Sequence, residues 1–344
     1  MAERLPGGSW VVLGPGDDAA VVRAPDGRVV ATTDLLIEGR HFRRDWSGPA
    51  DIGRKAAARN LADVAAMGAR PTALLVAFAG PAQTEVAWVL EVVRGIAEEC
   101  AAAGASVVGG DTSSADMVML AITALGDLGG REPVTRSGAR PGDVVAIAGT
   151  LGAAAAGLAL LNAGTGADAA ESGGLGGLIS AHRRPAPPYQ AGPEAAALGV
   201  TSMIDISDGL VADLGHVAMA SGVQVRLRSA ALAAEPVASR GQLAAAARLL
   251  AARSADAGEP GAAPAMAPAG DSAQAASARR EPAWPGWLRW VLAGGDDHAL
   301  AATFPADIVL PPGWTLVGEI ADGCGVRVDG RKWSEMGGWE HFRT

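Results

Sequence analysis

The chain has 344 residues, about half of them apolar, a formal net charge of −9, few aromatics and two cysteines. That length buries sizeable cores and suits two domains better than one. The acidic balance, without any basic tract, excludes a general nucleic-acid binder. Cys100 and Cys324 offer neither a CxxC spacing nor a disulfide framework, which fits a reducing cytoplasm. No stretch supplies the roughly 20 apolar residues that cross a bilayer. The opening MAERLPGGSW lacks the apolar core of a secretory signal.

In chain order, Trp10 to Leu13 and Ala19 to Val22 read as short strands around Gly14-Pro15-Gly16 and an aspartate pair. Val29 to Thr33, after the Asp26-Gly27 turn, is the next strand. Asp51 can cap a helix running to about Met67, with Gly68 as its stop. A second helix is predicted over about Thr84 to Ala103, a brief strand at Val107-Val108, and another strand over Val118 to Gly126. Arg140-Pro141-Gly142-Asp143 reads as a junction between residues 1–142 and 143–344.

Beyond it come strand Val144 to Ala148, helix Ala153 to Leu161 and a glycine-rich loop, Asn162 to Gly177. Strand Ser202 to Ile206 leads to helix Leu210 to Ala220, whose Leu210, Val211, Leu214 and Val217 recur at helical spacing. Residues from about 252 to 283 form an Ala/Pro/Gly/Ser insertion, expected to be disordered. Trp284, Trp287 and Trp290 follow at a spacing that anchors a helix. Strand, glycine turn, acid and helix recur in both halves. The expected fold class is α/β, with two domains of related design and a site in the cleft between them.

Five clusters join glycine or hydroxyl residues to aspartate: Gly16-Asp17-Asp18, Thr32-Thr33-Asp34, Gly109-Gly110-Asp111-Thr112, Asp205-Ile206-Ser207-Asp208-Gly209 and Gly294-Gly295-Asp296-Asp297. Asp63 sits alone in an alanine-rich helix. Each has a plain reading: a turn, a strand end, a helix cap at Ser207 or Asp208, or an Arg59–Asp63 pair one helical turn apart. Taken together they suggest more. Carboxylates brought close repel one another unless hard cations lie between them, and magnesium shares oxygen ligands with phosphate. The glycines let backbone N–H groups approach phosphate. Arg136 is either solvated or a phosphate grip. His41 and Trp339 are surface or packing residues, or substrate contacts. The chain has no P-loop, no kinase HRD/DFG pair and no GxGxxG opening a helix.

In order, GPGDDAAVV (14–22), TTDLLIEGRHF (32–42), NLADVAAMGARP (60–71), GGDT (109–112), TRSGARPGD (135–143), HRRPAPP (182–188), IDISDGLVADLGH (204–216), GGDDHAL (294–300) and WEHF (339–342) resemble the thiamine-monophosphate kinase family, within the aminoimidazole ribonucleotide synthetase-like superfamily. The resemblance implies two domains, a homodimer that joins N-terminal sheets, and transfer of the ATP γ-phosphoryl group to thiamine monophosphate with several magnesium ions (Mg2+). It places metal ligands at Asp18, Thr32, Thr33, Asp34, Asp63, Asp111, Asp205 and Asp208. ATP contacts fall on Gly110, Asp111, Arg136 and Ser207, and substrate contacts on His41, Asp296 and Trp339. Asp208 and Arg136 carry catalysis. Asp296-Asp297-His298-Ala299-Leu300 departs from the family's usual Glu-Asp-Tyr-Glu-Leu. The alternatives are a sister ATP-dependent enzyme of the superfamily or a non-catalytic nucleotide or thiamine-phosphate binder. The selenophosphate and hydrogenase-maturation enzymes want a reactive N-terminal Cys or Sec and a C-terminal Cys, and the chain has neither.

Overall fold

The computed structural model describes residues 8–14, 19–165, 173–235, 237–256 and 284–333. Asp18, Trp339 and most of the 252–283 insertion lie outside them. After a small ladder of β1 (Val11–Leu13) and β2 (Val21–Val22), the first large sheet comprises β3 (Val30–Ile37), β4 (Arg70–Gly80), β5 (Ser106–Ser114) and β6 (Met119–Asp127). Its strand order is β3-β6-β4-β5. Two helices, α1 (Pro49–Ala66) and α2 (Val86–Ala103), pack with the sheet around one core, which includes Leu36, Leu61, Leu74, Ile96 and Ile122. The other face is open: Leu35 is 51% exposed and Leu75 40%.

Strand β5 runs through the whole Gly109–Thr112 motif, longer than the two-residue strand read from sequence. Glycine and aspartate weaken a strand by propensity, but parallel pairing with β4 overrides it. The α1 boundary also differs. Gly48 is the N-cap, and Pro49, whose fixed φ suits a first helical position, starts the helix. Asp51 lies in the first turn and faces Arg184 at 3.4 Å. The helices α1 and α2 cross in direct backbone contact. A Cβ on Gly53 would meet the Val92 carbonyl oxygen at 2.0 Å, and one on Gly95 the Ala50 carbonyl oxygen at 2.0 Å.

The second large sheet has seven strands in the order β13-β12-β9-β11-β7-β10-β8. Its strands are β7 (Val144–Ala148), β8 (Ser202–Ile206), β9 (Gln224–Leu227), β10 (Ala299–Phe304), β11 (Trp314–Ala321), β12 (Gly325–Val328) and β13 (Arg331–Lys332). The helices are α3 (Ala153–Asn162), α4 (Gly176–Arg183), α5 (Ala191–Ala197), α6 (Leu210–Ser221), α7 (Ser229–Leu232), α8 (Arg240–Asp256) and α9 (Gly286–Ala293). The tryptophan triplet anchors α9: Trp290 is buried, and Trp284 and Trp287 pack on the same core.

Alternation splits the central strands between two cores. Val145, Ile147, Ile204, Ile206, Ala299 and Ala301 face the helix-covered core. Ala146, Ala148, Met203, Leu300 and Ala302 join Ala65 and Ala66 of α1 and Ala195 of α5. So α1 is wedged between the two sheets, and most of its residues are buried. Asp205 is in register with Leu300, which puts it on the α1 side of β8.

Candidate active site

The same alternation divides the Thr32–Asp34 motif. Asp34 pairs across β3–β6 with buried Ile122, and Thr32 with buried Ala124, so both point toward the helices. Thr33 points to the open face, where its hydroxyl accepts from Thr123 at 3.2 Å. On the helix side, Thr32 Oγ1 donates to Asp63 Oδ2 at 2.8 Å, and the Asn60 side chain accepts from the Asp34 N–H at 2.9 Å.

Arg59 does not pair with Asp63 one turn along its own helix. Its guanidinium lies between two other elements, 3.5 Å from Asp34 Oδ2 and 3.3 Å from Asp296 Oδ1. Asp296 Oδ2 lies 2.5 Å from Lys55 Nζ. His298 completes the chain of charges, with Nδ1 3.1 Å from Asp205 Oδ2 and Nε2 3.6 Å from Asp296 Oδ1. Four distant segments (β3, α1, β8 and the 294–298 loop) therefore meet here.

Electrostatics record the crowding. Burial, with the carboxylates of Asp205 and Asp34, pushes the Asp63 carboxyl up to about 7, against the Thr32 hydrogen bond. Asp296 goes the other way: burial alone would raise it, but Lys55, His298 and Arg59 hold it well below the usual range. His298 is pushed up to about 9, because its bonds to Asp205 and Asp296 outweigh burial. The ring of His41 accepts from the Ile37 N–H at 2.9 Å, and burial with the nearby Arg59 charge pushes it down to about 4. His41 is therefore neutral at pH 7 and within electrostatic reach of Arg59 and Asp296.

The loop after β8 is built by docking. The Ser207 carbonyl accepts from the Asp296 N–H at 2.8 Å, and the Ile206 carbonyl from the His298 N–H at 2.9 Å. A Cβ on Gly295 would meet the Ser207 carbonyl oxygen at 2.3 Å, so only glycine permits this approach. Neither Ser207 nor Asp208 caps α6; Gly209 is its N-cap. Instead Asp213, one turn into α6, accepts the Asp208 and Gly209 N–H groups on one oxygen, at 3.1 and 3.0 Å. Burial beside Asp205 and Asp208 pushes its carboxyl up to about 7. Asp297, next to Asp296, turns away to cap α3, accepting from Gly152 at 2.6 Å and Ala154 at 2.8 Å.

Two other groups of residues lie elsewhere. Gly110 is in register with Val76, Ile122 and Asp34, so it lies across three interstrand spacings, about 14 Å, from Asp34. Asp111 pairs with Ala77, in line with Leu35, on the open face. Arg136 is exposed, in a loop held beside β8 by the Met203 N–H on the Thr135 carbonyl, 3.2 Å away. Sequence reasoning missed Lys55, Arg59 as a bridge, and Asp213. Only Asp213 had a readable signal: it interrupts the apolar face formed by Leu210, Leu214 and Val217.

The oxygens of Thr32, Asp34 and Asp205 around Asp63 are the donor type that suits a hard cation. Among the described residues no three His, Cys, Asp or Glu side chains are close enough to hold an ion by themselves. Ligation would thus be shared with phosphate and water, the usual habit of magnesium.

Residues 16–128 match the model of the AIR synthase related protein, N-terminal domain. The thiamine-monophosphate kinase of Mycobacterium tuberculosis is 46% identical over 333 residues, covering 96% of this chain and 86% of that protein. The chain belongs to the thiamine-monophosphate kinase family. It is an enzyme, as its relatives are. The Escherichia coli kinase is 40% identical over 64% of the chain and 67% of its own length. Among solved structures, the Stenotrophomonas maltophilia family member superposes with a TM-score of 0.74 at 30% identity, covering 94% of this chain and 92% of that one. A second, described as AaThiL complexed with AMPPCP and TMP, gives 0.71 at 30% identity, with 95% and 91% covered. A hydrogenase maturation protein, HypE, at 18% identity and a TM-score of 0.60, shares the fold alone.

Proposed function

We propose that this chain phosphorylates thiamine monophosphate to thiamine diphosphate with ATP, using magnesium, in the cytoplasm. The observation that carries the proposal is the convergence of Asp34, Asp63 and Asp205 from three separate elements: Thr32, next to Asp34, bonds Asp63, and Asp205 and Asp34 add to the burial that raises the Asp63 carboxyl. An AMPPCP and TMP complex of a family relative supports the pair of substrates. In the step itself, a phosphate oxygen of thiamine monophosphate attacks the γ-phosphorus in line. The bond from that phosphorus to the β,γ-bridging oxygen breaks, and ADP leaves with the electron pair. The nucleophile is already an oxyanion at neutral pH, so no base is needed. Bound magnesium supplies charge neutralisation between the two phosphate groups.

The chain's own residues bind and orient. Thr32, Asp34, Asp63, Asp205 and Asp208 would ligate the metal, with Asp18 beside them; Thr33, whose hydroxyl is on the open face, would contribute only there, with Asp111. Ser207 and Arg136 would hold ATP, and Arg136 and Asp208 act at the transferred group. His41 and Asp296 would face thiamine monophosphate, as would Trp339. Gly110 and Asp111 lie on β5, the far edge of the first sheet, with Asp111 on the open face, which suits a homodimer that joins these open faces. The exposed Leu35 and Leu75 support that arrangement; sedimentation at the monomer mass would remove it. Residues 1–142 and 143–344, each with its own sheet, would be the two domains.

The test is magnesium-dependent ADP release. Thiamine monophosphate should trigger it, whereas free thiamine and aminoimidazole precursors should not. ADP release indifferent to thiamine monophosphate would sink the assignment.

A further inference from the structure

Helix α1 carries a buried ammonium that none of the roles above uses. Lys55 is 1% exposed in the middle of α1. Burying an amine is unfavourable unless it is paired and hydrogen-bonded. Lys55 Nζ lies 2.5 Å from Asp296 Oδ2 and donates to the His182 carbonyl at 2.9 Å. Both partners belong to the half of the chain that carries the seven-stranded sheet. Arg59, one turn further along α1, approaches the other Asp296 oxygen at 3.3 Å. One helix face from the first half therefore grips both oxygens of an acid from the second.

The gripped loop needs holding. Asp296 has φ 72° and His298 φ 53°, left-handed conformations that a non-glycine residue resists. Such residues persist where their surroundings over-determine them. The Ser207 and Ile206 carbonyls fix the loop backbone, and Lys55 fixes the side chain.

We infer that Lys55 is a positioning residue for the acceptor substrate: it sets the direction of the Asp296 carboxylate, and so the wall that thiamine monophosphate meets. The inference rests on the reading that Asp296 faces this substrate. A lysine that merely joined the two halves would affect stability or both substrates alike. A lysine acting through Asp296 affects one substrate.

The experiment is a steady-state double-mutant cycle with K55M, D296N and K55M/D296N, varying each substrate at saturating levels of the other. K55M should raise KM for thiamine monophosphate by about tenfold or more and leave KM for ATP within about twofold. The double variant should be no worse than the worse single one, because both changes remove the same interaction. Unchanged KM values in K55M, or a double variant whose KM rise is the product of the two singles, would overturn the inference. Methionine keeps an unbranched stem without the ammonium, and Arg59 still faces Asp296. Should K55M fail to fold, the double variant removes both charges together and strands neither. Equal KM values for the double variant and D296N then support the inference, and a further rise overturns it. Loss of the function itself would show first in the wild type, as no thiamine monophosphate-dependent ADP release.

Discussion

The two acidic stations of this molecule are built by different means. In the four-stranded sheet, Thr32 and Asp34 are aimed by strand alternation, and the neighbouring strand fixes their direction residue by residue. Beyond β8, Ser207 and Asp208 sit in a loop, where no ladder aims them. That loop is held from outside, by Asp213 on its N–H groups and by the docked Gly295–His298 segment. A strand-borne site is supported by the sheet that also makes the core. A loop-borne site requires dedicated polar groups, here the Asp213 carboxylate and the N–H groups of Asp296 and His298.

The sharpest way to break this contrast is at the loop-borne acid. Asp208→Asn should cut turnover by about two orders of magnitude or more while the protein stays folded, since the proposed ligand loses its charge without a change of shape. Wild-type turnover at limiting magnesium would remove Asp208 from the metal set.

The clamp gives the next largest effect and separates support from ligation. Asp213→Ala should lower kcat/KM about tenfold or more, because two N–H groups lose their acceptor. Asp213→Asn keeps an acceptor oxygen and should stay near wild type. Equal loss in both variants would instead make Asp213 a ligand.

The smallest effect is thermodynamic. The Asp63 carboxyl is raised from 3.8 to about 7, so the folded state holds its proton over a range where the unfolded chain has lost it. Its contribution to stability is complete below pH 3.8 and is lost as pH rises through about 7. Asp63→Asn should therefore match wild type near pH 4 and be more stable above pH 7, by roughly 1–2 kcal/mol once solvent screening is allowed for. Thermal unfolding of both proteins across that range checks the sign; a wild type that gained relative stability with rising pH would contradict it.

Regular elements were readable where local pattern and tertiary context agree. Strands Val144–Ala148 and Ser202–Ile206 match the sequence expectation end to end, because both are short, mainly apolar segments buried on two faces. The clusters themselves were readable too, since glycine beside aspartate is conspicuous. What each acid does was not. Asp296 and Asp297 are adjacent and chemically identical, yet one is gripped by α1 and the other caps α3. Arg59 had a plausible helical partner in Asp63, but contacts from β3 and the 294–298 loop won. Lys55 gave no local signal, because its partners lie 127 or more residues away.

The glycine crossing of α1 and α2 has a mechanical consequence. With Gly53 and Gly95 set against opposing carbonyls, there is no side-chain layer between the two axes to slide or shear. The wedge that carries Lys55, Arg59 and Asp63 is in effect a stationary jaw. Adjustment during a catalytic cycle is then expected in the opposing loops, whose hydrogen exchange should report it first.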